Sequence, residues 1–279
     1  MNYSFIPAIF LFGIASSVFA EESTASKLNV SGNVSVVSAY VSRGGTNGPE
    51  NDDTTLQAYL RADYQGWYTA YWVSKLGYSF TETQQQVAIG QDDMLTAAQK
   101  EQAVSQLNIS SAHFYEHDFF VGYTNTWQDW TYDANVAAYY YAGGEDTTGV
   151  EAGIFVQRDL SPTLKNNIRI GVQTYLNDTV YMNQWDSYLS VDYSQPLAQG
   201  FDLGLSTGIS KYQDKGKFEG GTFLNTQKDW VFRHASVQLS HSLFNEPKAT
   251  GWLRYIVGGE NRAGVSQKNM VVAGMRYSF

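Results

Sequence analysis

Four histidines, His113, His117, His234 and His241, and no cysteine bound the nucleophilic and metal chemistry open to this chain. Without thiols there is no disulfide framework, no thiolate metal site and no cysteine nucleophile. His113 and His117 share a strand parity, but four extended residues put them about 13 Å apart, too far for one metal ion. Glu116 and Asp118 fall on one face about 7 Å apart. That spacing is open to an acid pair, although a hydrated wall is the simpler account. Glu50, Asp52 and Asp53 could hold a divalent cation, and a solvated acidic loop explains them as well. No enzyme motif stands out, so no catalytic residue and no metal or other cofactor is expected.

What remains is a set of charges that recur on one parity of successive extended segments. The arginines are Arg61, Arg169, Arg254 and Arg276; the acids are Asp63, Glu116, Asp118, Asp133, Glu151, Asp186, Asp192 and Asp202. Alternation with period two puts successive side chains on opposite faces of a strand. Leu56, Ala58, Leu60, Ala62 and Tyr64 thus face one way, and Gln57, Tyr59, Arg61 and Asp63 the other. The same pattern returns in residues 114–124, 132–141, 149–159, 167–176, 185–194 and 201–212, then in 230–243, 252–258 and 268–279. Residues 28–43 read as a first strand whose pattern slips near Val37. Residues 67–78 are so aromatic on both parities that their faces cannot be assigned.

About twelve strands of about ten residues result, the length that crosses a bilayer when tilted. The connections alternate strictly. The longer set is 44–53, 81–111, 143–148, 177–184, 213–229 and 259–267; the shorter set is 65–66, 125–129, 160–166, 195–200 and 245–251. Short periplasmic turns and longer extracellular loops alternate in this way in outer-membrane barrels. Tyr and Trp near strand ends fit interfacial girdles. The expected fold is therefore all-β, a transmembrane antiparallel up-and-down β-barrel of about 12 strands. Residues 81–111 are expected to be a solvated loop with a short helix capped by Asp92 or Asp93 and running to Leu107; the alternative is a pore constriction.

Residues 1–20 read as a cleaved signal peptide, with an apolar run from Phe5 to Phe19 and small residues Val18 and Ala20 before the cut. Residues 21–27 follow as a short leader, and residues 28–279 as the barrel. The last strand carries Met275, Tyr277 and Phe279 on its apolar face, a pattern expected to engage the barrel-assembly machinery. The formal charge of -9 argues against nucleic acid as a partner. Outer-membrane lipid and a small solute are the expected partners, in the outer membrane of a Gram-negative bacterium.

At Ser38-Ala39-Tyr40-Val41-Ser42-Arg43-Gly44, then Leu56-Gln57 and Tyr64-Gln65-Gly66-Trp67-Tyr68, with Trp72 and Ser74, the chain resembles the TorF-type porin family of proteobacteria. The likeness covers roughly residues 30–75; Val41-Ser42 and Tyr71 depart from the family pattern, as does the long insertion at 81–111. The resemblance implies an outer-membrane channel and supplies no catalytic residues.

If the apolar faces meet lipid, Arg61, Glu116, Asp118, Asp133, Glu151, Arg169, Asp192, Arg254 and Arg276 line the lumen. Acids outnumber arginines there, so the expected activity is passive diffusion of small solutes through a narrow, neutral or mildly cation-preferring pore. The first alternative is a barrel closed by Arg–carboxylate pairs and aromatics such as Tyr139, Tyr141 and Phe155, acting through its loops. The second is an outer-membrane hydrolase, which needs a Ser or Asp within hydrogen-bond reach of His113 or His234.

Overall fold

A computed structural model describes residues 27–221, 224–244 and 246–279. The expected signal peptide, and all but the last residue of the leader, lie outside the described residues. The strands are β1 (Asn29–Val37), β2 (Thr55–Tyr64), β3 (Trp67–Lys75), β4 (Tyr115–Trp127), β5 (Trp130–Tyr141), β6 (Gly149–Ser161), β7 (Asn166–Tyr175), β8 (Ser187–Pro196), β9 (Phe201–Lys211), β10 (Trp230–Leu243), β11 (Glu246–Gly258) and β12 (Met270–Ser278). Each pairs antiparallel with its sequence neighbours, and β1 closes on β12 in the register Val34↔Tyr277 and Val36↔Met275. Closure leaves no backbone edge unpaired, which a lipid environment requires.

The alternation read from the sequence sorts inside from outside. Leu56, Leu60 and Tyr64 on β2 are exposed, while Tyr59, Arg61 and Asp63 between them are buried. Val30, Phe119, Ile154, Val172, Leu205, Leu253 and Val271 continue the exposed apolar belt around the barrel. The sheet also resolves β3, whose Tyr68, Ala70 and Ser74 are buried and whose Trp67 is exposed. At the β2–β3 turn Gln65 and Gly66 both have positive φ (52° and 84°), the geometry of a two-residue hairpin whose twist matches the strands.

Large inward aromatics lie flat over glycines of the next strand. A Cβ on Gly122 would come within 2.6 Å of the Tyr68 ring, one on Gly171 within 2.5 Å of Phe155, and one on Gly274 within 2.6 Å of Trp252. Covering glycine with a neighbouring ring fills the lumen wall and fixes the ring's tilt.

Several strand ends shift by a few residues from the sequence reading, and three differences matter more. The first strand ends at Val37, not Arg43, because Ser38 pairs with Ala273 and the chain then turns inward. In the long insertion two helices form, α1 (Phe80–Gln91) and α2 (Ala97–Ser105). Ser79 caps the first; Thr96 and Gln99 form a capping box on the second, and Asp92 closes α1 rather than opening a helix. Finally, β11 begins at Glu246 rather than Trp252, so the turn before it is short.

Candidate functional site: a loop across the lumen

The segment Ser38–Gly44 does not extend the wall. After Val37, Ser38 donates its N–H to the Ala273 carbonyl (2.8 Å) and its hydroxyl accepts from the Ala273 N–H (3.0 Å). Tyr40 and Asn51 then exchange backbone hydrogen bonds, so residues 38–54 form a small folded arm. Its tip turns at Arg43 and Gly44, with φ of 45° and 74°. A left-handed φ is unusual for arginine and costs backbone energy, which the contacts of the arm must offset.

Those contacts reach β4, β6, β8 and β10. The Tyr40 hydroxyl donates to Glu116 Oε2 (2.8 Å), whose Oε1 accepts from Tyr141 (2.7 Å). Arg43 Nη2 donates to both oxygens of Glu151 at 2.8 Å, and Glu151 also accepts from Tyr139 and Gln173. The guanidinium carbon sits 4.9 Å from the Tyr188 ring centre, a cation–π contact. The Arg43 carbonyl accepts from Arg233 Nε (3.0 Å), whose Nη1 donates to the Glu260 carbonyl (2.7 Å). At the root of the arm, Tyr78 donates to Glu50 (2.6 Å), and burial pushes that carboxyl above the ordinary glutamate range. Glu50 is thus an anchored residue of the arm.

Asp118 lies in the same acidic wall. It is fully buried, within electrostatic reach of Glu116, Glu151, Arg43 and Glu50. Neither of its oxygens has a hydrogen-bond partner among the described residues. In register it stands between Trp72 on β3 and Tyr139 on β5.

Toward the short turns the charges sit in a second layer. Arg61 donates through Nε and Nη2 to Asp63 (2.8 and 2.6 Å) and lies 3.6 Å from the Tyr68 ring centre. Tyr68, Thr124 and Asn135 all donate to Asp133. Arg169 lies 3.9 Å over Phe155 and faces Asp192 in register. Higher on the opposite wall, Arg254 donates twice to Gln238 Oε1 and sits near Trp252. Arg276 shares the inward parity of β12 with buried Val272. Asp186 precedes β8 and accepts from Arg262 (2.7 Å) in the loops above the barrel.

All nine residues expected to line the lumen therefore sit on its inward parity, but they do not form one cluster. Glu116, Asp118 and Glu151 gather under the arm; the others are spread along the wall. Pattern reading missed Tyr40, Arg43 and Arg233. Arg43 carried a usable signal, an Arg-Gly-Gly turn in the resembling motif, but nothing local showed that the turn points inward. Arg233 was hidden by a bulge between Phe232 and His234, which buries both Arg233 and His234 and so breaks period two.

No family model matches the sequence, and no curated protein matches it. Among solved structures, a KdgM porin superposes with a TM-score of 0.52 at 7% identity, covering 89% of this chain and 99% of that one. The fold shared with it is a closed antiparallel β-barrel. A NanC porin (TM-score 0.47, 12% identity, 90% and 99% covered) and an outer membrane channel from Pseudomonas putida F1 (0.48, 11%, 95% and 98%) are also similar. At these identities the likeness is one of fold, and the TorF resemblance rests on its own residues. Of the histidines, His234 Nε2 pairs with the Tyr188 hydroxyl (2.7 Å) and His117 Nδ1 with that of Tyr71 (2.7 Å). Neither His113 nor His234 has a Ser or Asp partner among the described residues.

Proposed function

We propose that the protein is an outer-membrane channel for passive diffusion of small solutes, with residues 38–54 as its constriction. One observation carries this reading: a folded arm crosses a polar lumen and is tethered there by side chains rather than built into the sheet. A tether of that kind narrows a pore without filling it. The lumen charges nearly balance once Arg43 and Arg233 are counted, which supports a narrow pore that is neutral or mildly cation-preferring.

The localisation follows as part of the proposal: export with cleavage after Ala20, lipid around the exposed belt, and recognition of Met275, Tyr277 and Phe279 on β12 by the assembly machinery. The TorF-type resemblance supports the same reading. The Arg43–Glu151 closure favours one second reading, a sealed barrel that acts through its loops. Single-channel recording of refolded residues 21–279 in a salt gradient separates the two. Discrete steps with a small reversal potential of cation sign are expected. A folded, heat-modifiable barrel that passes no current would sink the channel.

A further inference from the structure

The acidic wall under the arm is already holding a ligand group, supplied by the chain itself. Glu151 grips one Arg43 nitrogen with both oxygens, Tyr139 and Gln173 orient that carboxylate, and the Tyr188 ring supplies a π face. The Tyr188 ring face beside the carboxylate suits a planar guanidinium, which stacks on aromatic rings, better than a compact ammonium. Two features show that the wall is built for more positive charge than one arginine brings. Among the described residues Asp118 has no hydrogen-bond partner for either oxygen, although it is fully buried and lies in the same cluster. Glu116 also lies there, its oxygens held only by the neutral hydroxyls of Tyr40 and Tyr141. An ionised carboxylate removed from water without a partner is strongly disfavoured.

Arg43, meanwhile, is on a tether. It belongs to no strand, its tip has a left-handed backbone, and its guanidinium keeps 12% side-chain exposure while Glu151 keeps 1%. It can leave toward solvent; the wall cannot follow.

We propose that Glu151, with Asp118 and the Tyr188 ring, forms a subsite for the guanidinium group of a permeating solute, and that Arg43 occupies this subsite when the pore is empty. The inference rests on the channel reading and gives it a substrate class: solutes bearing a guanidinium. Arriving solute displaces Arg43 from Glu151, and the arm moves with it. No bond is made or broken, and one guanidinium replaces another at Glu151.

The test is calorimetric titration of agmatine into the refolded barrel in detergent, with 1,4-diaminobutane as the ammonium control. An internal competitor lowers apparent affinity in proportion to the fraction of time it occupies the site. Arg43→Gln should therefore bind agmatine at least about tenfold more tightly than the natural chain. Arg43→Lys, a weaker internal competitor, should fall between the natural chain and Arg43→Gln, and Arg43→Gln with Glu151→Gln should lose the gain. Equal binding by Arg43→Gln and the natural chain would overturn the proposal. So would a gain that survives Glu151→Gln, or a preference for diaminobutane. If Arg43→Gln refolds poorly, agmatine in the refolding buffer should restore the yield of that variant but not of the double variant; no rescue again overturns it. A bilayer that stays silent while the agmatine gain is intact would sink the channel and leave the subsite standing.

Discussion

Arg43 and Glu151, 108 residues apart in sequence, meet at 2.8 Å inside the barrel, one from a loop and the other from the wall. The asymmetry of this pair sets its energetics. Glu151 is fixed in β6 with 1% side-chain exposure, so it cannot regain water if its partner goes. Arg43 can swing out. Removing the arginine should thus cost more than removing the carboxylate: about 3 kcal/mol for Arg43→Gln, where a buried charge is stranded, and about 1 kcal/mol for Glu151→Gln. The double variant should resemble Glu151→Gln alone. Urea unfolding of the barrel in lipid vesicles reads all three, and equal single-variant losses would refute the asymmetry.

Gly44 tests the arm without changing any charge. Its φ is 74°, and a Cβ there would sit 2.7 Å from both the Arg233 carbonyl oxygen and the His234 Cβ. Gly44→Val meets both the steric cost of a left-handed backbone, about 1–2 kcal/mol, and the clash. The expected result is an arm expelled from the lumen, giving a larger single-channel conductance with selectivity shifted toward cations as Arg43 leaves Glu151. Conductance equal to that of the natural chain would mean that the arm does not set the bore.

How much of this was legible beforehand follows from which interactions are local. Period-two alternation is imposed by the pleat itself, so Leu56–Tyr64 declared both its faces, and the turn at Gln65-Gly66 could be read from two residues. Loop lengths alternated because the two ends of the barrel differ. The arm was not legible, because Tyr40 and Arg43 owe their positions to Glu116, Glu151 and Arg233, residues 76, 108 and 190 positions away. A chain that leaves a strand at Val37 looks, locally, like a strand with a slip. Glu116, Asp118 and Glu151 were legible as inward acids, but not as one cluster. That takes the closure of the sheet and the arm across it.

The loop region 212–229 carries its own pH dependence. Glu219 accepts from the Thr226 backbone and hydroxyl and from Asn183. Partial burial alone would raise its carboxyl, but these hydrogen bonds, with Arg262, hold it below the ordinary glutamate value. A lowered folded-state value means stability that is complete above the unfolded glutamate value and lost as pH falls through the folded one. Limited proteolysis of this loop should therefore accelerate only below the ordinary glutamate range. Glu219→Gln should be cut equally across that window; an acid-induced rise that persists in the variant would place the titration elsewhere.

Asp118 supplies the remaining prediction, and its sign is unusual for a buried polar residue. Replacing a hydrogen-bonded core carboxylate normally destabilises a protein, because its donors are stranded. Among the described residues Asp118 has no donors to strand, since neither oxygen has a partner, and its neighbours Glu116 and Glu151 repel an ionised carboxylate. Asp118→Asn keeps the shape, removes that repulsion, and brings an amide that can donate to either glutamate. The variant should resist urea better than the natural chain, by on the order of 1 kcal/mol. The same change removes a negative charge from the lumen, so the reversal potential in a salt gradient should move away from cation preference. Both shifts must occur together. Added stability without a change in selectivity would mean that Asp118 carries no charge in the working barrel. A loss of stability would mean that the wall holds a partner for it.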